Sequence, residues 1–389
     1  RPIFAMCDTV YNIILMNIIF PIVVTDILVP KFTLTAEANA AEIASLVAQN
    51  PNLAGIVEKS GGSLSAFYNP GLFTTIQLSF GAVSAVFAVC AIIALWRKDN
   101  PKYFGLGTTQ KVGVKDYVDT LAHNRAIQML VVSASTDKLF MSTKSNATVM
   151  ICLFGIIFGN YAAFSSYSQI TSIPVCLISL LLMNKIARQM GQKASMLVGT
   201  WGGIIGSLAI TLFLFFFNPK GDASKFSLPA FRIIRPDTWG TLFTGWTTTA
   251  LIFVLLVIAW SGVQALSSSI VITMTADCAD YEVYRTGKYV PGLMGTLFSF
   301  VDKLVSSLAA TLVALFYSMA GFKDALPDTM TPYSDKIFWA TVGCFVLLPI
   351  VGWICNVIAM KFYPLTKEKM EEIQAEIGRI KAEAAAKKA

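Results

Sequence analysis

The chain has 389 residues, of which 55% are hydrophobic and only 14% are charged. Ordinary soluble domains carry about 25% charged residues, so this sequence has too few polar side chains to cover a water-exposed surface. With a mean hydropathy of +0.64, the composition excludes a soluble globular protein and indicates that lipid is the solvent.

Apolar windows of about 20 residues, long enough to cross a bilayer, predict an all-α membrane protein. We expect eight transmembrane helices, at residues 3–28, 72–96, 126–159, 166–184, 195–217, 243–275, 291–320 and 337–362. These spans predict four regions: two helices with an extracellular insertion (1–96, insertion 31–71), a central cytoplasmic loop (97–125), a six-helix part (126–362) and a tail (363–389).

The tail changes composition sharply. Met370, Ile373, Ile377 and Ile380 form a narrow apolar stripe among Glu and Lys residues. This spacing predicts an amphipathic helix that rests on the bilayer or on the helix bundle. A solvated helix without a partner is an equally good interpretation.

Basic residues are distributed unevenly between the predicted loops. The loop 97–125, the short loops at 185–193 and 285–288, and the tail carry most of the Lys and Arg residues. By the positive-inside rule, this places the central loop and the C-terminus in the cytoplasm of a multi-pass protein in the cell's inner membrane. The net charge of +7 therefore reflects the basic residues of the predicted cytoplasmic loops, and the sequence gives no support for nucleic-acid binding.

Enzyme chemistry is absent from the sequence pattern. The seven cysteines have no metal-site spacing, and the only histidine, His123, lies in a polar stretch beside Asn124. There is also no phosphate-binding glycine loop and no nucleophile with a nearby base. We therefore expect neither an enzyme nor a bound cofactor.

Five charged residues lie toward the middle of the predicted spans: Asp137, Lys138, Lys144, Asp302 and Lys303. Each costs roughly 2.5–3.5 kcal/mol near the centre of a bilayer, so such groups pair with one another or face an aqueous cavity. Internal ion pairs that fix helix register are the alternative to a solute pathway. Lys138 and Lys144 could also extend toward an interface.

Helical spacing places these charges on polar faces. In the span 291–320, one face carries Thr296, Ser299, Asp302, Lys303, Ser306 and Ser307. In the span 126–159, Asp137 and Lys144 share a face, whereas the adjacent Lys138 points elsewhere. Trp260 and Gln264 begin a third polar stripe, whose ring and amide suit a polyhydroxylated solute. These residues are the predicted lining of a solute pathway.

One motif resembles a known family. The segment from Ala276 to Lys288 reads ADCADYEVYRTGK, and Phe300 to Leu304 reads FVDKL. Together they resemble the signature of the glycoside–pentoside–hexuronide:cation symporters, a branch of the major facilitator superfamily. The family places the first motif in a loop between its tenth and eleventh helices, and the second in its eleventh helix. The resemblance covers the whole chain as helices five to twelve, and it implies that four N-terminal helices are missing.

The resemblance implies a function as well as a fold. It implies cation-coupled symport of a sugar, glycoside or uronate by alternating access, with Na⁺ or H⁺ as the coupling ion and membrane lipid as the surroundings. Lys303 would contact the solute or sense the cation, and Arg1 would correspond to an arginine near the sugar. The cytoplasmic gate would consist of salt bridges among Asp277, Asp280, Glu282, Arg285 and Lys288.

Two alternatives remain open at this point. A transporter of the same fold could move a lipid-like or another anionic solute. An anionic solute is considered because the charged residues in 126–159 suit a charged substrate, such as a hexuronate, better than a neutral disaccharide. The chain could also be an inactive truncated product or a membrane protein that does not transport.

Overall fold

A computed structural model describes residues 15, 19–20, 22–51, 53–59, 61–98, 113–229, 240, 244–287, 291–323, 326–328 and 331–386. The described residues form two compact units, one ending at residue 98 and the other beginning at residue 113. Regular structure in both units is helical. Within the described ranges, β-type pairing is limited to an isolated bridge between Leu34 and Leu64.

The first unit combines a small folded module with one long apolar helix. Its elements are a π-helical segment (Ile22–Leu28), α1 (Val29–Phe32), α2 (Ala36–Gln49), α3 (Leu53–Lys59), a 3-10 turn (Ala66–Tyr68) and α4 (Pro70–Lys98). Leu34, Ile43, Leu53 and Leu64 form a buried cluster, closed by two backbone hydrogen bonds between Leu34 and Leu64. The predicted insertion at 31–71 is therefore a structured module with its own apolar core.

The second unit is a helix bundle. Its helices are α5 (Val114–His123), α6 (Arg125–Lys144), α7 (Ala147–Met150), α8 (Tyr161–Met190), α9 (Gln192–Phe216), α10 (Thr248–Thr286), α11 (Pro291–Ser306), α12 (Ala309–Met319), α13 (Asp335–Val342), α14 (Leu348–Phe362) and α15 (Lys367–Ala386). Two π-helical segments, Ile151–Ile157 and Gly343–Leu347, continue α7 and join α13 to α14. Such segments interrupt the regular ladder and often occur at functional sites.

Five helices in the described residues are long and apolar enough to cross a membrane, or six if the bent pair Arg125–Lys144 and Ala147–Ile157 forms one span. The prediction of an all-helical membrane protein agrees with this finding. The count of eight remains a prediction, because much of 3–28 lies outside the described residues and the helix at 161–190 is not among those that qualify.

Close helix packing fixes the centre of the bundle. Helix α10 contacts α6, α8, α9, α11 and α15. On α9, a Cβ atom added at Gly199 would lie 2.5 Å from the backbone nitrogen of Ser267, and one at Gly203 would lie 2.8 Å from the Trp353 ring. Small residues allow this approach between helices, where dispersion contacts replace the hydrophobic effect as the source of stability.

Candidate functional site

Helix α6 is broken inside its span, and Lys144 is its last residue. The Asn124 side chain caps the start of α6 by accepting a hydrogen bond from Ile127 N at 3.0 Å. After Lys144 the chain turns, and Asn146 Oδ1 accepts from Thr148 N at 2.9 Å to begin the next helical segment. The two segments differ in direction by 49°. A broken membrane helix leaves backbone groups and a helix N-terminus available at mid-span, which is the geometry of many transporter binding sites.

The Lys144 ammonium is held by neutral groups. Its Nζ donates to Gln264 Oε1 at 3.1 Å and lies 3.5 Å from the centre of the Trp260 ring and 5.6 Å from that of Phe345. The amide nitrogen of Gln264 in turn contacts the Met141 sulfur. Cation–π contacts and one hydrogen bond therefore replace an ion pair, since no carboxylate of the described residues lies within 4 Å of the ammonium.

Trp260 holds this arrangement in place. Its ring is 1% exposed, and its Nε1 donates to the Gly203 carbonyl at 3.0 Å. Trp353 meets it edge to face at 6.0 Å between ring centres. Lys144 covers one ring face, so the predicted stacking of Trp260 on a solute requires Lys144 to move away first.

Asp137 and Lys138 point in different directions, as the sequence predicts. Asp137 is 5% exposed and faces the Trp353 indole of α14, whereas Lys138 is exposed. Among the described residues, no cation lies within 4 Å of the Asp137 carboxylate, and its Oδ1 atom has no hydrogen-bond partner. A buried, unpaired carboxylate is expensive, so this residue needs a function or an additional partner.

The polar face of α11 is open in the described part of the chain. Ser299 and Lys303 are exposed, and Asp302 is partly buried. The Ser306 and Ser307 hydroxyls donate to the carbonyls of Lys303 and Leu304, at the break between α11 and α12. The Lys303 ammonium and the Asp302 carboxylate form no ion pair or hydrogen bond with any described residue.

The predicted gate motif is helical, which corrects the expectation of a loop. Helix α10 continues to Thr286 and ends at Gly287, whose φ of +71° suits a glycine C-cap. Glu282 accepts a hydrogen bond from Asn124 Nδ2 at 2.8 Å and forms a 2.8 Å ion pair with Arg285. The motif therefore joins the end of α10 to the start of α6, through partners far apart in the chain.

The tail helix α15 docks on the same end of α10. Ile373 and Ile377 are buried in the main core, so of the interpretations of the tail the structure favours packing on the bundle. Gln374 Nε2 donates to Asp280 Oδ2 at 2.6 Å, and Tyr284 donates to Glu372 at 2.9 Å. The remaining predicted gate acid, Asp277, lines a cavity of about 400 Å³ beside α15.

Electrostatics at this end follow from these contacts. Burial raises the pKa of Tyr363, at the end of α14, well above its ordinary value. The hydrogen bond from Lys369 lowers the pKa of the Glu372 carboxyl.

Two predicted site residues, Arg1 and Lys288, lie outside the described residues.

Three residues of the site were not predicted from the sequence: Phe345, Trp353 and Asn356. Asn356 is fully buried, and neither polar atom of its side chain has a partner among the described residues. An amide inside an apolar segment was the available signal, because burying it without a hydrogen bond costs free energy.

Comparison with known sequences matches this chain to a family of transporters and to two individual transporters. A model of the family described as MFS/sugar transport protein matches residues 12–367. The glucuronide carrier protein homolog of Escherichia coli (strain K12) is 24% identical over 263 residues, 67% of this chain and 48% of the relative. The isoprimeverose transporter of Lactiplantibacillus pentosus is 20% identical over 285 residues, 73% of this chain and 51% of the relative. The chain thus spans about half the length of the curated relatives that it matches.

Proposed function

The chain belongs to the MFS/sugar transport protein family, whose members are transporters rather than enzymes, and we propose that it moves a sugar, glycoside or uronate together with a cation. Transport in this proposal is secondary and active, with Na⁺ or H⁺ as the coupled ion. Two helical halves of the complete protein rock around a midplane site and expose it alternately to each side of the membrane.

The observation that carries this proposal is the Lys144 cluster at the break of α6. An ammonium whose partners in the described part of the chain are Gln264 and aromatic faces can exchange these neutral contacts for a solute oxygen. The segment Ala147–Ile157 starts three residues later, and its N-terminus adds a partial positive charge. Both features favour a solute with a carboxylate, so a uronate or glucuronide is our first choice.

A neutral sugar or glycoside is the second candidate. One relative is named as an isoprimeverose transporter. The Trp260 face that Lys144 covers would stack on a pyranose once Lys144 moves away. In this case Lys144 donates hydrogen bonds to hydroxyl groups. A lipid-like solute and a chain that does not transport are the remaining alternatives.

The open face of α11 and the end of α10 complete the proposal. Ser299, Asp302 and Lys303 line the pathway, where Lys303 contacts the solute or senses the cation. Asp280, Glu282 and their neighbours form the inner gate, whose contacts with Gln374 and Asn124 break when the pathway opens inward. Charge asymmetry supports a cytoplasmic location for this end and for α15.

Uptake into proteoliposomes tests the proposal. The complete protein is reconstituted and supplied with labelled glucuronides, free uronates, neutral glycosides and pentosides, with and without Na⁺ or proton gradients. We expect gradient-driven accumulation of at least one sugar, with preference for a carboxylated one. Accumulation of neutral sugars alone would select the second candidate. A folded protein that accumulates or exchanges none of these solutes would refute sugar transport.

A further inference from the structure

The Gln264 side chain of α10 fixes the position of Lys144. An ammonium group donates hydrogen bonds and accepts none, so the amide must present its oxygen to it, and Gln264 Oε1 accepts from Lys144 Nζ at 3.1 Å. The amide nitrogen then faces the sulfur of Met141, a weak acceptor one helical turn earlier on α6. Both ends of the amide therefore contact α6, next to the break that follows Lys144.

The groups that hold the ammonium in the described bundle are uncharged. Trp260 and Phe345 contribute ring faces, whose centres lie 3.5 and 5.6 Å from Lys144 Nζ, and Gln264 contributes the amide. No carboxylate of the described residues lies within 4 Å of the ammonium. Such contacts position a cation through partial charges, and they leave its full charge to attract an anion.

The uncharged state of the Gln264 amide has a consequence for solute binding. A glutamate side chain has nearly the same shape, but it would place a negative charge beside the ammonium. At a separation of about 5 Å and an effective dielectric constant of about 20, that charge would weaken the attraction for a second carboxylate by roughly 100-fold. The amide retains the hydrogen bond to Lys144 and avoids this competition.

Lys144 and Gln264 form the accessible part of this cluster. Both residues are partly buried, whereas Trp260 and Phe345 are only 1% and 2% exposed. Trp260 is fixed further because its Nε1 donates to the Gly203 carbonyl at 3.0 Å. The two aromatic rings thus form a fixed wall, and a solute that reaches the cluster meets the ammonium and the amide first.

We propose that Gln264 determines solute specificity: it positions Lys144 without neutralising it, so that the site prefers a solute with a carboxylate to a neutral one. The inference deepens the proposed function and rests on it, with a glucuronide or uronate as solute. Gln264 is a positioning residue, because it acts on the solute through the charge of Lys144.

The ratio of two KM values tests this specificity. The complete protein in proteoliposomes is supplied with a glucuronide and with the matching glucoside, which differs only in carrying a hydroxymethyl group in place of the carboxylate. In Gln264→Glu, the KM for the glucuronide should rise by on the order of 100-fold, at a similar maximal rate. The KM for the neutral glucoside should change far less, because that solute has no charge to be attracted. A folding defect would affect both solutes alike.

Two further variants separate charge from other effects. Gln189→Glu makes the same chemical change at the exposed end of α8, outside the cluster, and should keep the wild-type ratio of KM values. Gln264→Met removes the amide but adds no charge, so the glucuronide should remain the preferred solute. A preference for the neutral glucoside in Gln264→Met would contradict the proposal, even if Gln264→Glu did not fold.

A melting-temperature cycle tests the contact without any solute. Gln264→Glu alone should not lower the melting temperature, because the ammonium of Lys144 compensates the new carboxylate. In a Lys144→Met background, the same change leaves this carboxylate without a counter-ion. The melting temperature should then fall by on the order of 5 °C below that of Lys144→Met.

The two experiments fail in different ways. Additive effects in the melting-temperature cycle would show that Gln264 does not position Lys144, and a Gln264→Glu variant with the wild-type ratio of KM values would refute the specificity. A folded wild-type protein that transports no sugar would refute the proposed function and the specificity with it. The cycle would still show, in that case, whether the contact between Gln264 and Lys144 exists.

Discussion

Lys144 and Lys303 lie within apolar helices of this molecule, in opposite surroundings. Lys144, at the end of α6, is enclosed by Gln264, Trp260 and Phe345. Lys303, in α11, is exposed and has no ionic or hydrogen-bond partner among the described residues. An unpaired ammonium at mid-membrane is costly, so nearly every such group faces a cavity or another part of a bundle.

The comparison separates two roles that residue type alone does not distinguish. The surroundings of Lys144 are built from its own bundle, so its removal should affect stability as well as binding. The Lys303 ammonium forms no ion pair or hydrogen bond with the described bundle, so the cost of its removal should arise mainly from the solute, the cation or another part of the complete protein.

Replacing Lys303 should have the largest effect. We expect Lys303→Ala to reduce uptake by on the order of 100-fold, because a solute or cation group loses its charged partner in a desolvated pathway. The melting temperature of the purified protein should not change, since the side chain has no partner in the described bundle. Lys323→Ala, which removes an exposed lysine just after α12, is the control and should transport normally.

A loss of stability without a loss of uptake in Lys303→Ala would contradict the different roles assigned to Lys144 and Lys303. If Lys303→Ala lowers the melting temperature and leaves uptake intact, Lys303 is a structural group and the polar face of α11 does not line the pathway.

A matched pair of glycines tests the same contrast at the level of packing. In α9, Gly199→Ala should destabilise the protein by about 2–3 kcal/mol, because its Cβ would lie 2.5 Å from the Ser267 backbone nitrogen. In α11, no described residue beyond the adjacent helix backbone has an atom within 4 Å of a Cβ atom at Gly295. Gly295→Ala should therefore be neutral or stabilising by up to about 1 kcal/mol, through helix propensity.

Thermal unfolding in detergent measures both glycine variants. A tolerated Gly199→Ala would contradict the close approach of α9 and α10. A Gly295→Ala variant that folds normally but transports poorly would show that another surface covers α11 during the transport cycle.

The helices were predictable from sequence because lipid imposes a simple rule. A segment such as α4 must be apolar over its whole length to satisfy its backbone inside the bilayer, and this property is visible in a single window. The family was also predictable, and the match over residues 12–367 confirms it. The motif at Ala276 to Lys288 carried that prediction.

The surroundings of the site were less predictable, because they depend on contacts between distant segments. The charge-rich end of α10 was interpreted as a loop, whereas it is helical and bound by Asn124 and Gln374, which lie 158 and 94 residues away from their partners. Trp353 was not singled out because an aromatic residue in an apolar span is usually a packing residue. Only the fold shows that it faces Asp137.

Lys144→Met should destabilise the protein less than Gly199→Ala, and it tests the enclosed lysine directly. Methionine preserves most of the side-chain volume but loses the hydrogen bond to Gln264 and the cation–π contact with Trp260. Together these losses should destabilise the protein by about 1–2 kcal/mol, or roughly 2–8 °C in apparent melting temperature. Lys303→Met should leave that temperature unchanged. Equal melting temperatures for both variants would mean that the contacts of Lys144 contribute nothing to the fold. Its ammonium would then serve binding alone, as we propose for Lys303.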